Sequence, residues 1–416
     1  MTRWRSCFSV NKFATKRHKV FSILCSLWID SMALEFKLRR SLLIWLVLRV
    51  VSLVVAPLAF YFRPPGSRIM AVTSLKGFLL GPWFAWDVRY YVEIVRNGYQ
   101  PGSPTANLHP LYPWISALLA AVIREPLLSL LLVSSIAGVL LIIGFYRLAK
   151  LDCNDQQAWQ ATALLLCWPA SLALFLPYTE ALFLLLSVYC LFAARHQRFW
   201  LAGLAGALAT LTRQQGLFLV LPLAWEIWEA SGRQWSSAVR KCLSLLLVPA
   251  AYALWVVYRA VAINDVHPDF SSIQSFLHTV MISPSSYEIT EKHAFLPPWL
   301  TIWRGLGAFW RHEVSPYAFI DLALGIGFIA LLVLSWRYLR MSYRVYCLAI
   351  VLVSLSFYAA DENPFLALPR HLVLAFPVFI GLAARYQIRR FPFLLFLLAE
   401  CQMGLLVCFV WMRWVP

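Results

Sequence analysis

Charge is scarce in this chain. Of its 416 residues only 13% are Asp, Glu, Lys or Arg, while 61% are hydrophobic. Soluble globular domains carry about a quarter of their residues charged, so that class is excluded and a chain of membrane spans is expected. Acidic residues are the scarcest, 19 against 36 Lys and Arg, which leaves a net charge of +17. The basic residues gather in turns between apolar runs, the pattern of the positive-inside rule. They form no continuous stripe interleaved with aromatics, so nucleic acid is not an expected partner. The cysteines form no CxxC and no Cys/His metal spacing. Cys167, Cys190, Cys242, Cys347, Cys401 and Cys408 lie in or beside apolar runs and read as small buried hydrophobes. There is no P-loop, no GxGxxG, no GxSxG, no internal repeat and no low-complexity segment.

The fold expected is all-α and polytopic, with about 11–12 membrane segments in one membrane domain over 41–416. Residues 1–40 read as a basic cytoplasmic tail, and Met32 is an alternative start. Leu42–Phe62 is the first span. After it come Leu111–Ile123, about 20 Å long against a hydrocarbon core of about 30 Å, and the full span Pro126–Phe145. Ala158–Leu176, Pro177–Ala194, a broken pair Phe199–Thr212 and Gly216–Ile227, and Leu243–Ile263 follow. Tyr317–Trp336, Val345–Ala360, the short Leu372–Ala384 and Phe391–Trp411 complete the set. Nineteen Trp and seventeen Tyr suit interfacial belts. With the basic turns inside, the loops 63–110 and 264–316, Pro177–Glu180, Arg213 and Asp361–Arg370 converge on one outer face. Ionisable groups gathered at a face suggest a surface site roofing a lipid groove.

The loop 63–110 carries the densest pattern. Trp86, Tyr90 and Ile94, with Tyr91 and Val95 one step round, recur at helical spacing, and Gly98 ends the run. This reads as a helix lying in the interface plane with its apolar face down. Asp87 stands at its first turn, where a helix N-terminus favours an anion, so capping competes with a catalytic role. Trp86, Tyr90 and Tyr91 offer flat hydrogen-bonding surfaces of the kind sugars stack on, and Arg89 is close by. His109 precedes Pro110-Leu111-Tyr112-Pro113; a structural hydrogen bond competes with catalysis or metal binding. Tyr178 and Glu180 lie between apolar runs, where a carboxylate must reach water, a partner or a headgroup. Arg213 interrupts an apolar stretch and needs an anion, which suits a phosphate. Arg370 and His371 repeat that arrangement. No DxD triplet is present to hold a metal-bound nucleotide sugar, which favours a lipid phosphate as the activating group of any sugar donor.

Trp86-Asp87-x-x-Tyr90-Tyr91-x-x-Ile94-x-x-x-Gly98-Tyr99 followed by His109-Pro110-Leu111-Tyr112-Pro113 resembles the first-loop signature of the PIG-V family. That family holds the GPI mannosyltransferase adding the second mannose, and prokaryotic relatives. Pro169-Ala170-Ser171 with Tyr178-Thr179-Glu180, Leu201–Leu204 leading to Ala209–Arg213, and Leu368-Pro369-Arg370 fit as well. The likeness is good over 42–225 and looser beyond. It departs at His109, where the eukaryotic pattern has Phe, at Arg213-Gln214-Gln215, and in the shorter chain. The resemblance implies a GT-C superfamily glycosyltransferase bundle with its catalytic carboxylate in the first outside loop, on Asp87, and a polyprenyl-phosphate sugar donor. The expected reaction moves a hexose, mannose first among them, to an acceptor hydroxyl on a lipid- or protein-linked glycan at the non-cytoplasmic face, with inversion. Asp87 is the expected base and Arg213, with Arg370, the phosphate partner. His109 and Glu180 are expected to position donor, acceptor or a divalent cation. The membrane would be a bacterial plasma membrane, or the endoplasmic reticulum in a eukaryote. A transporter or flippase of lipid-linked sugars and a non-catalytic assembly subunit are the alternatives.

Overall fold

The computed structural model describes residues 36–63, 74–264, 272, 275, 294–386 and 390–413. Helices dominate. α1 (Phe36–Tyr61) starts before the expected Leu42, because Lys37, Arg39 and Arg40 are good helix formers; Lys37 reaches Gln156 and the Trp159 ring, while Arg39 and Arg40 are exposed. Residues 1–35 of the expected tail lie outside the described residues. α2 (Leu75–Leu80) and a 3-10 turn (Gly81–Trp83) lead to α3 (Val88–Asn97), α4 (Leu111–Ile123) and α5 (Pro126–Ala149). α6 (Asp155–Cys167) is followed by a 3-10 run (Pro169–Leu174), then α7 (Glu180–Arg195) and α8 (Phe199–Thr212). A further 3-10 run (Gln214–Leu219), α9 (Val220–Ala230), α10 (Trp235–Cys242) and α11 (Leu247–Tyr258) come next, and α11 ends in a π turn (Arg259–Ile263). α12 (Pro298–Trp310), α13 (Ala318–Ser335), α14 (Met341–Ser354), α15 (Leu368–Val373), α16 (Pro377–Arg385) and α17 (Phe391–Val410) complete the bundle. Two short strands, β1 (Ala294–Phe295) and β2 (Phe357–Tyr358), pair antiparallel.

Five stretches are long and apolar enough to cross a membrane: Phe36–Tyr61, Pro126–Ala149, Ala238–Ile263, Ala318–Tyr338 and Phe391–Val410. The chain is a multi-pass membrane protein. Prolines divide two of the other expected segments. Pro169 ends Ala158–Leu176 as a helix after Cys167, and Pro377 splits Leu372–Ala384 into α15 and α16. Each proline supplies no N–H; Trp168 before Pro169 is pushed out of the helical region (ψ 132°), whereas Phe376 before Pro377 keeps helical angles (ψ -26°). Val345–Ala360 likewise stops at Ser354 before β2. Non-helical backbone is tolerated at membrane depth only inside protein, and residues 169–180 are buried throughout. That buried irregular run is what carries polar groups into the bundle.

α5 packs on α7, α7 on α8 and α8 on α11. The rings of Phe145 and Tyr346 meet Phe376 at 5.8 and 5.7 Å. Basic residues expected at the inner face are engaged in ion pairs. Arg195 reaches Asp152 at 2.8 Å and the Tyr343 hydroxyl at 3.0 Å, while Arg340 holds Glu226 at 2.8 Å. Among the described residues the cysteines are unpaired; Cys167, Cys190 and Cys347 are buried, whereas Cys401 is exposed on α17.

Candidate active site

Trp86 takes a left-handed backbone conformation (φ 53°), which turns the chain sharply into α3. For a bulky residue this costs of order 1–2 kcal/mol, so the surrounding packing must impose it. Asp87 occupies the N-cap position, but its carboxylate caps nothing. Instead Oδ2 accepts from Nη1 and Nη2 of Arg370, each at 3.3 Å, and the side chain remains 39% exposed. One carboxylate oxygen is thus engaged and the other is left for a ligand.

The apolar stripe of α3 does not face lipid as the sequence suggested. Val88, Tyr91, Val92 and Ile94 are buried against protein, with α4 and α5 as the facing helices. An amphipathic face needs an apolar partner, and the next two helices of the chain supply one before the bilayer does. The Tyr91 ring meets Tyr112 edge-on at 5.3 Å, so it has no open face for a sugar. Burial, and Asp87 after it, push the Tyr91 hydroxyl far above its usual range.

Glu180 opens α7 with its side chain only 2% exposed. Its Oε1 takes an ion pair from Nη1 of Arg213, and Nε of Arg370 stands 3.1 Å from the same oxygen. Its Oε2 is buried without a partner. Arg213 extends from the end of α8, where the helix stops at Thr212 as the sequence indicated, and also donates to Thr179 Oγ1 at 2.9 Å. The Arg370 guanidinium lies 5.0 Å above the Tyr178 ring. Ala367, just before α15, is a second non-glycine residue in the left-handed region (φ 58°). The result is a continuous relay, Asp87–Arg370–Glu180–Arg213, drawn from four distant parts of the chain. Desolvation alone would lower Arg370, yet Glu180 and then Asp87 outweigh it and hold the guanidinium above its ordinary value.

His109 sits beside this relay against an aromatic wall. Its ring stacks on Tyr252 at 6.3 Å and tilts on Trp255 at 6.0 Å, and its Nδ1 is buried with no partner. Burial pushes its imidazolium down to about 4, with Arg213 and Arg259 acting in the same direction. His109 is therefore neutral at physiological pH. Burial, with Arg213 and Arg370, also lowers His371. Arg89 is exposed and donates from Nε to the Trp86 carbonyl at 3.3 Å, and Tyr90 is half-buried; no bond joins either to the relay among the described residues.

Two arginines escaped the sequence reading. Arg259 begins the π turn, a backbone irregularity frequent at functional sites. Its Nε is buried without a partner, and among the described residues it has no counter-ion. Arg49, within α1, is buried and donates to Ser135 Oγ at 2.6 Å, to the Phe175 carbonyl and, at 3.4 Å, to the Leu131 carbonyl. It also lies 5.7 Å above Trp83, shortly before Asp87. A cation inside or at the end of an apolar run is the signal that marks both residues. Among the described residues no group of three or more His, Cys, Asp or Glu is placed to hold a metal ion. Asp87 and Glu180 each face an arginine with one carboxylate oxygen.

Residues 103–263 match the family described as dolichyl-phosphate-mannose-protein mannosyltransferase. Curated relatives bear the name GPI alpha-1,6-mannosyltransferase 2. The Cricetulus griseus protein is 30% identical over 175 residues, covering 38% of this chain and 34% of the relative. The Mus musculus protein is 30% identical over 222 residues, covering 47% and 43%. The matches thus span less than half of either relative's length. The likeness to PIG-V read from the first-loop motif agrees with these relatives. Among solved structures, ArnT from Cupriavidus metallidurans bound to undecaprenyl phosphate aligns over 82% of this chain and 60% of its own, at 15% identity and a TM-score of 0.47. The Archaeoglobus fulgidus oligosaccharyltransferase tethered with an acceptor peptide aligns over 89% and 56%, at 16% identity and a TM-score of 0.45.

Proposed function

We propose that this chain is a membrane glycosyltransferase of GT-C type that moves a hexose, mannose first among them, from a polyprenyl-phosphate donor to an acceptor hydroxyl. The observation that carries the reading is the relay itself. It joins a half-exposed carboxylate to a buried guanidinium through two further charged groups. The family description and the relatives' names support a mannosyl donor of the lipid-phosphate kind.

The acceptor hydroxyl approaches the free oxygen of Asp87 and its oxygen attacks the anomeric carbon. The bond from that carbon to the phosphate oxygen breaks, the proton passes to Asp87, and the polyprenyl phosphate leaves with the bonding electrons. In-line attack inverts the configuration. Arg370 and Glu180 fix the orientation of Asp87. Arg213 and Arg259 meet the charge that grows on the departing phosphate, where a guanidinium offers paired donors. Arg259 is the less engaged of the two, since no carboxylate competes for it among the described residues. Trp86 lines the sugar side. The site would face the outside of a plasma membrane, or the lumen of the endoplasmic reticulum in a eukaryote.

Asp87→Asn keeps the size and the neighbours of the carboxylate but cannot take a proton. In vesicles supplied with polyprenyl-phosphate mannose and membrane acceptors it should fold normally and lose about 10²–10⁴ in transfer rate. Turnover at the wild-type rate would remove Asp87 from the mechanism. Release of free polyprenyl phosphate by the wild-type protein separates transfer from mere transport of the donor.

A further inference from the structure

We infer that the cleft between α12 and β2 is the acceptor subsite, holding the sugar rings of a lipid-linked glycan; this rests on the transferase reading above. The cleft encloses about 690 Å³ and is lined by Trp303, Arg304, Trp310, Arg311, Tyr358 and Asp361.

α12 presents two different faces. Thr301, Gly305 and Ala308 are buried, and Gly305 lets the helix sit directly on Phe365: a Cβ there would lie 2.5 Å from that ring. Phe309 stacks on the same ring at 6.4 Å, and the Ser315 amide donates to the Glu362 carbonyl at 2.8 Å. The helix is therefore fixed on the Asp361–Ala367 turn, and the cleft is a built feature. On the other face Trp299, Trp303 and Trp310 are 74%, 77% and 87% exposed. A row of exposed indoles is what the membrane interface accommodates, at the level where the headgroup of a lipid-linked acceptor lies.

The polar lining indicates the ligand class. Tyr358 donates to Asp361, and Arg311 pairs with Glu313 at 2.8 Å. Arg311 is thus matched by Glu313, and the lining sets two guanidiniums and one carboxylate among three aromatic rings. Donors, acceptors and flat aromatic faces together suit a neutral polyhydroxylated ring. Trp303 and Trp310 stand two turns apart, about 10 Å along the helix axis, a separation that brackets two or three linked sugars.

The segment that lines the cleft also carries part of the relay. Asp361 and Arg370 lie on one short segment, and Phe357, the neighbour of Tyr358, meets His371 edge-on at 6.4 Å. A glycan seated here can direct its terminal hydroxyl towards Asp87.

The probe is the lipid and membrane-protein extract of a strain lacking this gene, in which the unmodified acceptor accumulates. It is titrated against the full-length protein in vesicles at saturating polyprenyl-phosphate mannose. Trp310→Ala and Asp361→Ala should each raise the extract concentration giving half-maximal transfer by roughly tenfold or more. Trp310→Tyr should recover most of the loss, and half-saturation by donor should not move in any of the three. An unchanged extract requirement, or donor and acceptor requirements rising together, overturns the subsite while leaving the transferase reading in place. If wild-type protein gives no more product than Asp87→Asn, the transferase reading fails instead.

Discussion

Replacing Glu180 with Gln tests the relay most sharply. The Glu180 side chain is 2% exposed, and the two guanidiniums that face it are 12% and 10% exposed. Removing one partner of a buried ion pair costs about 3–5 kcal/mol, because the other charge is left without compensation. Gln keeps the shape and one acceptor oxygen, so the lower end, about 3 kcal/mol, is expected. Asp87 alone would then answer two arginines, and Arg370 would lose the contact that holds it between the carboxylates. If the same deficit appears in the transition state, transfer falls by about 10². The double variant Glu180→Gln/Arg213→Gln removes both charges of the pair. It should be less destabilised than the sum of the single changes by about 1–3 kcal/mol, while staying poorly active. The assay is unfolding in mixed micelles, run beside transfer from polyprenyl-phosphate mannose on the same preparations. Wild-type stability and turnover in Glu180→Gln, or additivity of the two changes within about 0.5 kcal/mol, would refute the reasoning.

Three further outcomes follow from the same geometry. Arg259→Gln should raise the donor concentration for half-maximal rate by roughly 10- to 100-fold, the worth of one charge-assisted contact; an equal rise for acceptor would make Arg259 structural. Burial holds the folded His109 imidazolium at about 4, below the ordinary 6.5, so between those values the unfolded chain binds the proton first. Stability is therefore complete above pH 6.5 and is lost as pH falls towards 4, by at most about 3 kcal/mol. His109→Phe should flatten that part of the unfolding profile, and identical slopes in both proteins would dismiss the assignment. Arg49→Met removes the donors to Phe175 and Ser135 and should leave the Phe175 carbonyl unsatisfied, at about 1–3 kcal/mol, while Ser135 keeps its bond to the Leu131 carbonyl. Unchanged unfolding and activity would show that the buried run 169–180 does not depend on Arg49.

The helical, membrane-spanning character was legible because apolar runs and their basic turns are local signals. Asp87, Glu180, Arg213 and Arg370 were also legible, since a charge beside or within an apolar run announces a need for a partner. Which partner was not legible. Arg213 suggested a phosphate, yet in the folded chain it pairs with Glu180, and Arg370 bridges two carboxylates. Tyr91 suggested a sugar platform but packs into the core, because periodicity identifies an apolar face and says nothing about what covers it.

By itself, the sequence settled that this is a multi-pass helical membrane protein, which residues interrupt its spans, and its likeness to PIG-V, because hydropathy and motif spacing are properties of neighbouring residues. Only the tertiary structure decided that Asp87, Glu180, Arg213 and Arg370 form one relay, that Arg259 stands without a counter-ion among the described residues, and that α12 closes a cleft over Asp361. Those outcomes depend on contacts between segments far apart in the chain. Inside a low-dielectric bundle the energy of each charge is set by whichever distant group the packing brings against it.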